Sequence, residues 1–234
     1  MLNNLPKRRI YVVGGHTGYA NWMKGEITNE MENADLVVFT GGEDVCPLLY
    51  GEKNIHPRTY YNLNRDYREI EAYKKALTLK KKMIGICRGH QFLSVMNGAK
   101  LIQHQYNPGN HAMKTYTKKD VTVNSLHHQA VYPFLLPESK YHIVGYSENI
   151  SEIHQNGLSE EYEVPVEIEA IFFPETQCLG IQCHPEMMYT AGKFALDYID
   201  SLEFFDRTLN LFLNQSLIFD LNFDRALKRL THPV

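Results

Sequence analysis

Much that would narrow the field is missing from these 234 residues. There are only four cysteines, Cys46, Cys87, Cys178 and Cys183, and no two of them form a CxxC pair. That excludes a disulfide framework and points to a reducing, cytoplasmic setting. No apolar run approaches the roughly 20 residues that a membrane span needs. The opening MLNNLPKRRIYVVGG holds too short an apolar run for a leader peptide. Excess charge is missing as well: 24 Lys and Arg face 27 Asp and Glu, a formal net charge of −3. A nucleic-acid-binding surface is therefore not expected. The one basic run, Lys80-Lys81-Lys82, reads as the end of a helix, where cations are favoured. Repeats, low-complexity tracts and interdomain linkers are absent too. What remains has ordinary globular composition, 44% hydrophobic and 22% charged, and fits one domain over 1–234.

What is there is a sharp local pattern. Met83-Ile84-Gly85-Ile86 is a short apolar run that stops at Cys87. Arg88-Gly89-His90-Gln91-Phe92-Leu93 then reads as a helix that ends at Asn97-Gly98. Glycines stand two residues before and two after Cys87, the spacing of a nucleophile elbow. A turn that tight leaves no room for flanking side chains. It sets the thiol at a sheet edge and at a helix N-terminus, whose partial positive charge favours thiolate. Taken alone, Cys87 could be a packed cysteine at a strand end; the two glycines and the strand-to-helix switch favour a nucleophile.

A nucleophilic cysteine needs a base, and the base an orienting group. An apolar strand, Cys178 to Cys183, ends at His184-Pro185-Glu186. Pro185 cannot continue the ladder, so His184 falls at a strand end, as Cys87 does. Glu186 can turn back onto the imidazole. Singly, His184 reads as a loop histidine and Glu186 as a first-turn acid; with the elbow they read as a set.

In chain order, Arg9 to Val13 reads as a strand, Ala20 to Met31 as a modest helix and Leu36 to Phe39 as a buried parallel strand. Residues 43–64 read as loop. Asp66 is read as the cap of a helix reaching about Lys81, with Glu69 completing a capping box and Ile70, Tyr73 and Leu77 buried. This alternation predicts an α/β fold with a doubly wound, mostly parallel sheet and flanking helices. After Gly98, strands are expected at Leu101-Ile102, Val121–Val123, Ile143–Tyr146 and Val166–Phe173, a small mixed or antiparallel extension. Residues 103–120 read as a polar loop, 192–214 as a helix, and about 217–234 as a helical extension. That extension presents Phe219, Leu221, Phe223, Leu227 and Leu230, which must bury against the chain itself, a second copy or a partner. Two weaker patterns carry less. Val12-Val13-Gly14-Gly15-His16-Thr17-Gly18-Tyr19 has its glycines misplaced for a dinucleotide fingerprint; it is a substrate-edge loop or a tight turn. His127-His128 lacks the carboxylate or thiolate of a metal set, and strand neighbours point to opposite faces.

GICRGHQ and GIQCHPE together resemble the class I glutamine amidotransferase-like superfamily. Gly41-Gly42-Glu43-Asp44-Val45-Cys46-Pro47-Leu48-Leu49-Tyr50-Gly51-Glu52 and Val123-Asn124-Ser125-Leu126-His127-His128-Gln129 resemble its γ-glutamyl hydrolase branch, of the γ-glutamyl-GABA hydrolase type. The four stretches run in the expected order from about 40 to 186. The resemblance implies a flavodoxin-like fold and a triad of Cys87, His184 and Glu186. It implies an oxyanion hole from the backbone N–H of Gly42, with Gly41 beside it, and of Arg88. It also implies substrate contacts from Gly41, Gln91 and His127. The implied reaction is hydrolysis of a small γ-glutamyl amide through a thioester, without a metal or organic cofactor. A glutaminase subunit feeding ammonia to a synthase and a vestigial binding protein are the alternatives, with a homodimer or a synthase as candidate partner. One departure is Cys183, where the family usually carries a large aromatic.

Overall fold

Among the described residues twelve strands form one sheet: β1 (Arg9–Val12), β2 (Glu26–Ile27), β3 (Leu36–Phe39), β4 (Lys82–Ile86), β5 (Lys100–Gln105), β6 (His111–Thr115), β7 (Asp120–Val123), β8 (Ala130–Tyr132), β9 (His142–Ser147), β10 (His154–Asn156), β11 (Glu167–Phe173) and β12 (Cys178–Ile181). The helices are α1 (Leu63–Thr78), α2 (Arg88–Met96), α3 (Pro185–Thr190) and α4 (Ile199–Leu213). This computed structural model describes residues 8–106, 109–148, 151, 154–156, 164–190 and 197–214. The expected 217–234 extension and the first turns of the expected 192–214 helix lie outside them.

The sheet has two halves. Strands β12, β4, β3, β1 and β2 lie side by side in that order, all parallel. Strand β11 joins β12 antiparallel and carries the rest, β8, β5 and β10 on one branch and β9, β6 and β7 on the other. In the parallel half, side chains alternate between two cores. Val37, Phe39 and Met83 face one, where α1 gives Tyr73 and Ala76 and α2 gives Phe92 and Leu93. Leu36, Val38, Ile84 and Ile86 face the other, closed by Trp22, Met23 and, from α4, Phe205, Leu209 and Phe212. Burial on both faces is why these strands read as unbroken apolar runs. Phe39 and Phe92 stack with centroids 5.5 Å apart, and each ring taken from water contributes roughly 2–3 kcal/mol.

Three expectations need correcting. Ala20–Met31 is not an α-helix: a 3-10 helix at Thr17–Met23 ends with Lys24 at φ 52°, and β2 then pairs with β1. Gly25 lets that strand approach, since a Cβ there would lie 2.7 Å from the Arg8 carbonyl oxygen. The helix read as capped by Asp66 starts earlier, at Leu63, with the Asn62 side chain accepting from the N–H groups of Asn64 and Arg65. It also ends earlier, at Thr78; Lys80 is left-handed and Lys82 opens β4, so the lysine run is a turn rather than a helix end. Residues 103–120 are not a loop: β5 runs to Gln105, and β6 and β7 form a hairpin. Gln103, Gln105 and Thr115 are buried there, and polar composition masked the strand.

Candidate active site

Three neighbouring parallel strands, β12, β4 and β3, end on the same edge of the sheet. Their ends deliver His184, Cys87 and the Gly41-Gly42 turn. Strand spacing of about 4.8 Å is what places these groups within reach of each other. The register fixes it: Ile181 sits opposite Ile86, and the Cys87 N–H donates to the Ile181 carbonyl at 2.8 Å.

Cys87 itself caps α2 at φ 53° and ψ −110°, a sparsely allowed conformation for a residue with a Cβ. The flanking glycines make it possible. A Cβ on Gly85 would lie 2.2 Å from the Gly89 oxygen, and one on Gly89 would lie 2.2 Å from the Phe39 oxygen. The helix is therefore seated directly on the β3 and β4 backbones. Of the four thiols, Cys87 alone has measurable exposure, 8% against 0% for Cys46, Cys178 and Cys183. Burial pushes the Cys178 thiol up to about 12, and burial, then Glu169 and Glu186, raises Cys183 well above its usual range. Cys183, the departure from the family pattern, packs in the same core as Cys87.

His184 follows β12, and Pro185 opens α3, bringing Glu186 round one turn. His184 Nδ1 lies 2.7 Å from Glu186 Oε1. Burial alone would lower the imidazole pKa, but the nearby Cys87 and the bonded Glu186 carboxylate outweigh burial and hold it at about 10. Asn124, whose role the sequence did not reveal, pins the histidine backbone twice. Its Oδ1 accepts from His184 N–H at 2.8 Å, and its Nδ2 donates to His184 O at 3.1 Å.

Gly41 and Gly42 end β3 beside this ring. A Cβ on Gly41 would lie 2.7 Å from the Tyr19 hydroxyl and 3.1 Å from His184 Cε1. Gly42 has φ +137°, which glycine alone adopts readily. Tyr19 was hidden within the first glycine loop. Its ring centroid is 6.1 Å from that of His184, and burial, then Glu186 and Cys87, raises its pKa. The same loop lines an open cavity of ≈ 610 Å³ with His184 and Glu186, through His16, Thr17 and Tyr19. The loop thus lies beside His184 and Glu186 at the cavity's edge.

Arg88 is 1% exposed; its guanidinium pairs with Asp66 and Glu69 of α1. Those two acids, read as a capping box, are instead its buried counter-ions. Gln91 is also buried, donating to Gln129 O at 3.1 Å and Gln182 Oε1 at 3.2 Å. His127 precedes β8 rather than lying on a strand. It is 8% exposed, its Nδ1 is 2.9 Å from Gln129 O, and burial lowers its pKa. His128 turns away to Asp44, at 3.2 Å.

Comparison with known proteins decides the family. The glutamine amidotransferase-like protein YvdE homolog of Lactococcus lactis subsp. cremoris is 32% identical over 127 residues, 45% of this chain and 68% of that one. The chain belongs to the class I glutamine amidotransferase-like superfamily. Residues 19–114 match the peptidase C26 family, a span that holds Gly41, Gly42 and Cys87 and stops before His184. YvdE of L. lactis subsp. lactis is 28% identical over 172 residues, 72% of each chain. A glutamine amidotransferase structure from Thermotoga maritima superposes over 97% of this chain and 95% of its own with a TM-score of 0.52 at 17% identity, a likeness of fold. The fold it shares with that structure is the one described above, a mixed sheet with a parallel core.

Proposed function

We propose that the protein hydrolyses the γ-glutamyl amide bond of a small γ-glutamyl compound, with Cys87 as nucleophile, His184 as acid and base, and Glu186 as the orienting carboxylate. The observation that carries this reading is the delivery of His184 and Cys87 by adjacent parallel strands, with His184 Nδ1 2.7 Å from Glu186 Oε1 and its pKa raised to about 10. At neutral pH such a ring is an imidazolium, and Cys87 is proposed to react as the thiolate. The thiolate attacks the γ-carbonyl carbon, and the C=O electron pair moves onto oxygen. The backbone N–H groups of Gly42 and Arg88 stabilise that oxyanion. When it collapses, the C–N bond breaks and the amine leaves with the proton from His184. The neutral ring then takes a proton from water, which attacks the thioester; the Cys87 thiolate departs and glutamate is released.

The GGEDVCPLLYGE and VNSLHHQ stretches favour the γ-glutamyl hydrolase branch, and so an amide other than glutamine as substrate. Nothing in the reaction calls for a second chain: the proposed nucleophile, base, carboxylate and both oxyanion donors come from this one. Two measurements test the reading on purified protein. A glutamine-mimicking diazoketone should add once, at Cys87, and Cys87→Ala should abolish turnover. Across a panel of γ-glutamyl amides, at least one should show kcat/KM well above that for glutamine. Labelling at another cysteine refutes the nucleophile. Glutamine turnover only after a second protein is added replaces the hydrolase by an amidotransferase subunit.

A further inference from the structure

One basic side chain beside the site has no role in the reaction just described. Arg65, in the first turn of α1, is 15% exposed, and both of its Nη atoms are spent on the loop that follows β3. Its Nη2 donates to Gly41 O at 2.8 Å, to Thr40 O at 3.1 Å and to Thr40 Oγ1 at 3.2 Å. Its Nη1 meets Glu43 Oε2 at 2.5 Å, and its Nε meets Glu69 Oε1 at 2.8 Å.

The Gly41 carbonyl and the Gly42 N–H belong to one peptide unit. That unit is planar and trans, so the two groups point in opposite directions. A guanidinium fixed on the carbonyl therefore turns the Gly42 N–H away from itself. It also polarises the unit, because a charged donor on the oxygen makes the N–H a stronger donor. The turn needs such a hold. Both of its residues are glycines, so the backbone alone leaves the peptide free to rotate. There is no slack on the arginine side: a Cβ on Gly42 would lie 2.1 Å from Arg65 Nη1. Glu69 extends the hold to the second donor. Its Oε1 takes Arg65 and its Oε2 takes the buried Arg88 guanidinium, whose own backbone N–H follows Cys87.

We propose that Arg65 is the positioning residue of the oxyanion site, fixing the Gly41–Gly42 peptide and, through Glu69, tying it to Arg88. The proposal rests on the reading of Gly42 and Arg88 as oxyanion donors. It adds that the hole is set within this chain before substrate arrives.

The test uses Arg65→Lys, which keeps a charge for Glu43 and Glu69 but lacks the rigid fork needed to hold Gly41 as well. Four quantities are compared with the native protein: kcat and KM on the best γ-glutamyl amide, the Ki of the matching γ-aldehyde, and the rate at which the diazoketone alkylates Cys87. The aldehyde binds as a thiohemiacetal whose oxygen occupies the oxyanion site. Removing one oxyanion donor outright costs on the order of 10²–10³ in kcat. Arg65→Lys, which misdirects the donor, should lower kcat by about 10-fold or more, with KM changed less than about 3-fold. The aldehyde Ki should rise in parallel with the loss of kcat, and alkylation should stay within about 3-fold of native. Arg65→Ala should show the same pattern, with kcat partly restored by millimolar guanidinium. Native kcat and Ki in Arg65→Lys overturn the proposal. So does an alkylation rate that falls together with kcat, which would mean general disorder of the site. A native protein that is inert to every γ-glutamyl amide and to the aldehyde refutes the underlying reaction instead.

Discussion

Replacing Gly89 by alanine tests whether the elbow is built by packing. The added Cβ would lie 2.2 Å from the Phe39 oxygen, 2.6 Å from its carbonyl carbon and 3.1 Å from its Cβ. The first two atoms are backbone of a fully buried strand, so no side-chain rotation relieves the overlap. Helix α2 must rise off β3 by roughly 1 Å to restore ordinary contact. Overpacking of this kind costs about 1–3 kcal/mol, and a rigid backbone neighbour puts it at the upper end, ~3 kcal/mol. Alanine returns up to ~1 kcal/mol of helix propensity. The net is a loss of about 2 kcal/mol, which for a chain of this size lowers Tm by about 4–8 °C. Because Arg88 and Cys87 ride on the end of that helix, a shift of ~1 Å should also cost about 10²-fold in kcat. Thermal unfolding and steady-state kinetics on the same preparation check both numbers. A variant as stable as native, with native kcat, would refute the claim that this glycine is required by the Phe39 backbone.

Glu186→Gln should lower kcat with little change in KM, and should bring the His184 pKa down from about 10; a pH profile of diazoketone labelling reads the second effect. Arg88→Met leaves Asp66 buried without its cation and Glu69 with Arg65 alone, which should cost about 3–5 kcal/mol in urea unfolding. Stability should fall at both ends of the pH range. His184, raised from 6.5 to about 10, stabilises the fold fully below pH 6.5 and ceases to do so as pH rises through about 10. His90, fully buried and depressed to about 3 by that burial and by His127, stabilises it above pH 6.5, and that contribution is lost as pH falls toward 3. Urea midpoints across pH should show both limbs, the alkaline one reduced in Glu186→Gln.

The elbow and the strand-end histidine were legible because each is a local event. Gly85, Cys87 and Gly89 lie within five residues, and the atoms that forbid a Cβ on Gly85 belong to Gly89 and His90 of the same turn. His184 and Glu186 are two residues apart and meet at 2.7 Å. Asp66 and Glu69 show the opposite case. Three residues apart at a helix start, they have the spacing of a capping box, yet the same spacing sets two carboxylates on one helical face. Only the fold brings Arg88, 22 and 19 residues on, between them. An acid pair three apart upstream of an arginine beside a nucleophile was the available signal. Tyr19 and Asn124 were invisible for a similar reason: each meets His184 from a segment at least 60 residues away. The β6 strand was lost because its composition is polar while its alternation is not; Met113 and Thr115 are buried and Ala112 is exposed.

The antiparallel half of the sheet is not a second unit added to a finished site. Strand β12, which ends at His184, is paired on one side with β4 and on the other with β11. Removing β11 would leave the histidine strand as an edge. The segment before β8 then crosses back, so that Asn124 grips the His184 backbone and Gln129 O receives the Gln91 amide from the nucleophile helix. The connection is made of buried hydrogen bonds, and breaking one partner of such a bond leaves a desolvated donor or acceptor. His184 is thus held from the antiparallel half and Cys87 from the parallel core, and the two meet because β12 runs parallel to β4 in the register Ile181 to Ile86. A slip of that register by one residue would turn Ile181 from one core to the other and move the His184 imidazole away from Cys87. The unbroken apolar character of Leu179 and Ile181 opposite Ile84 and Ile86 is therefore a requirement of the chemistry as well as of the core.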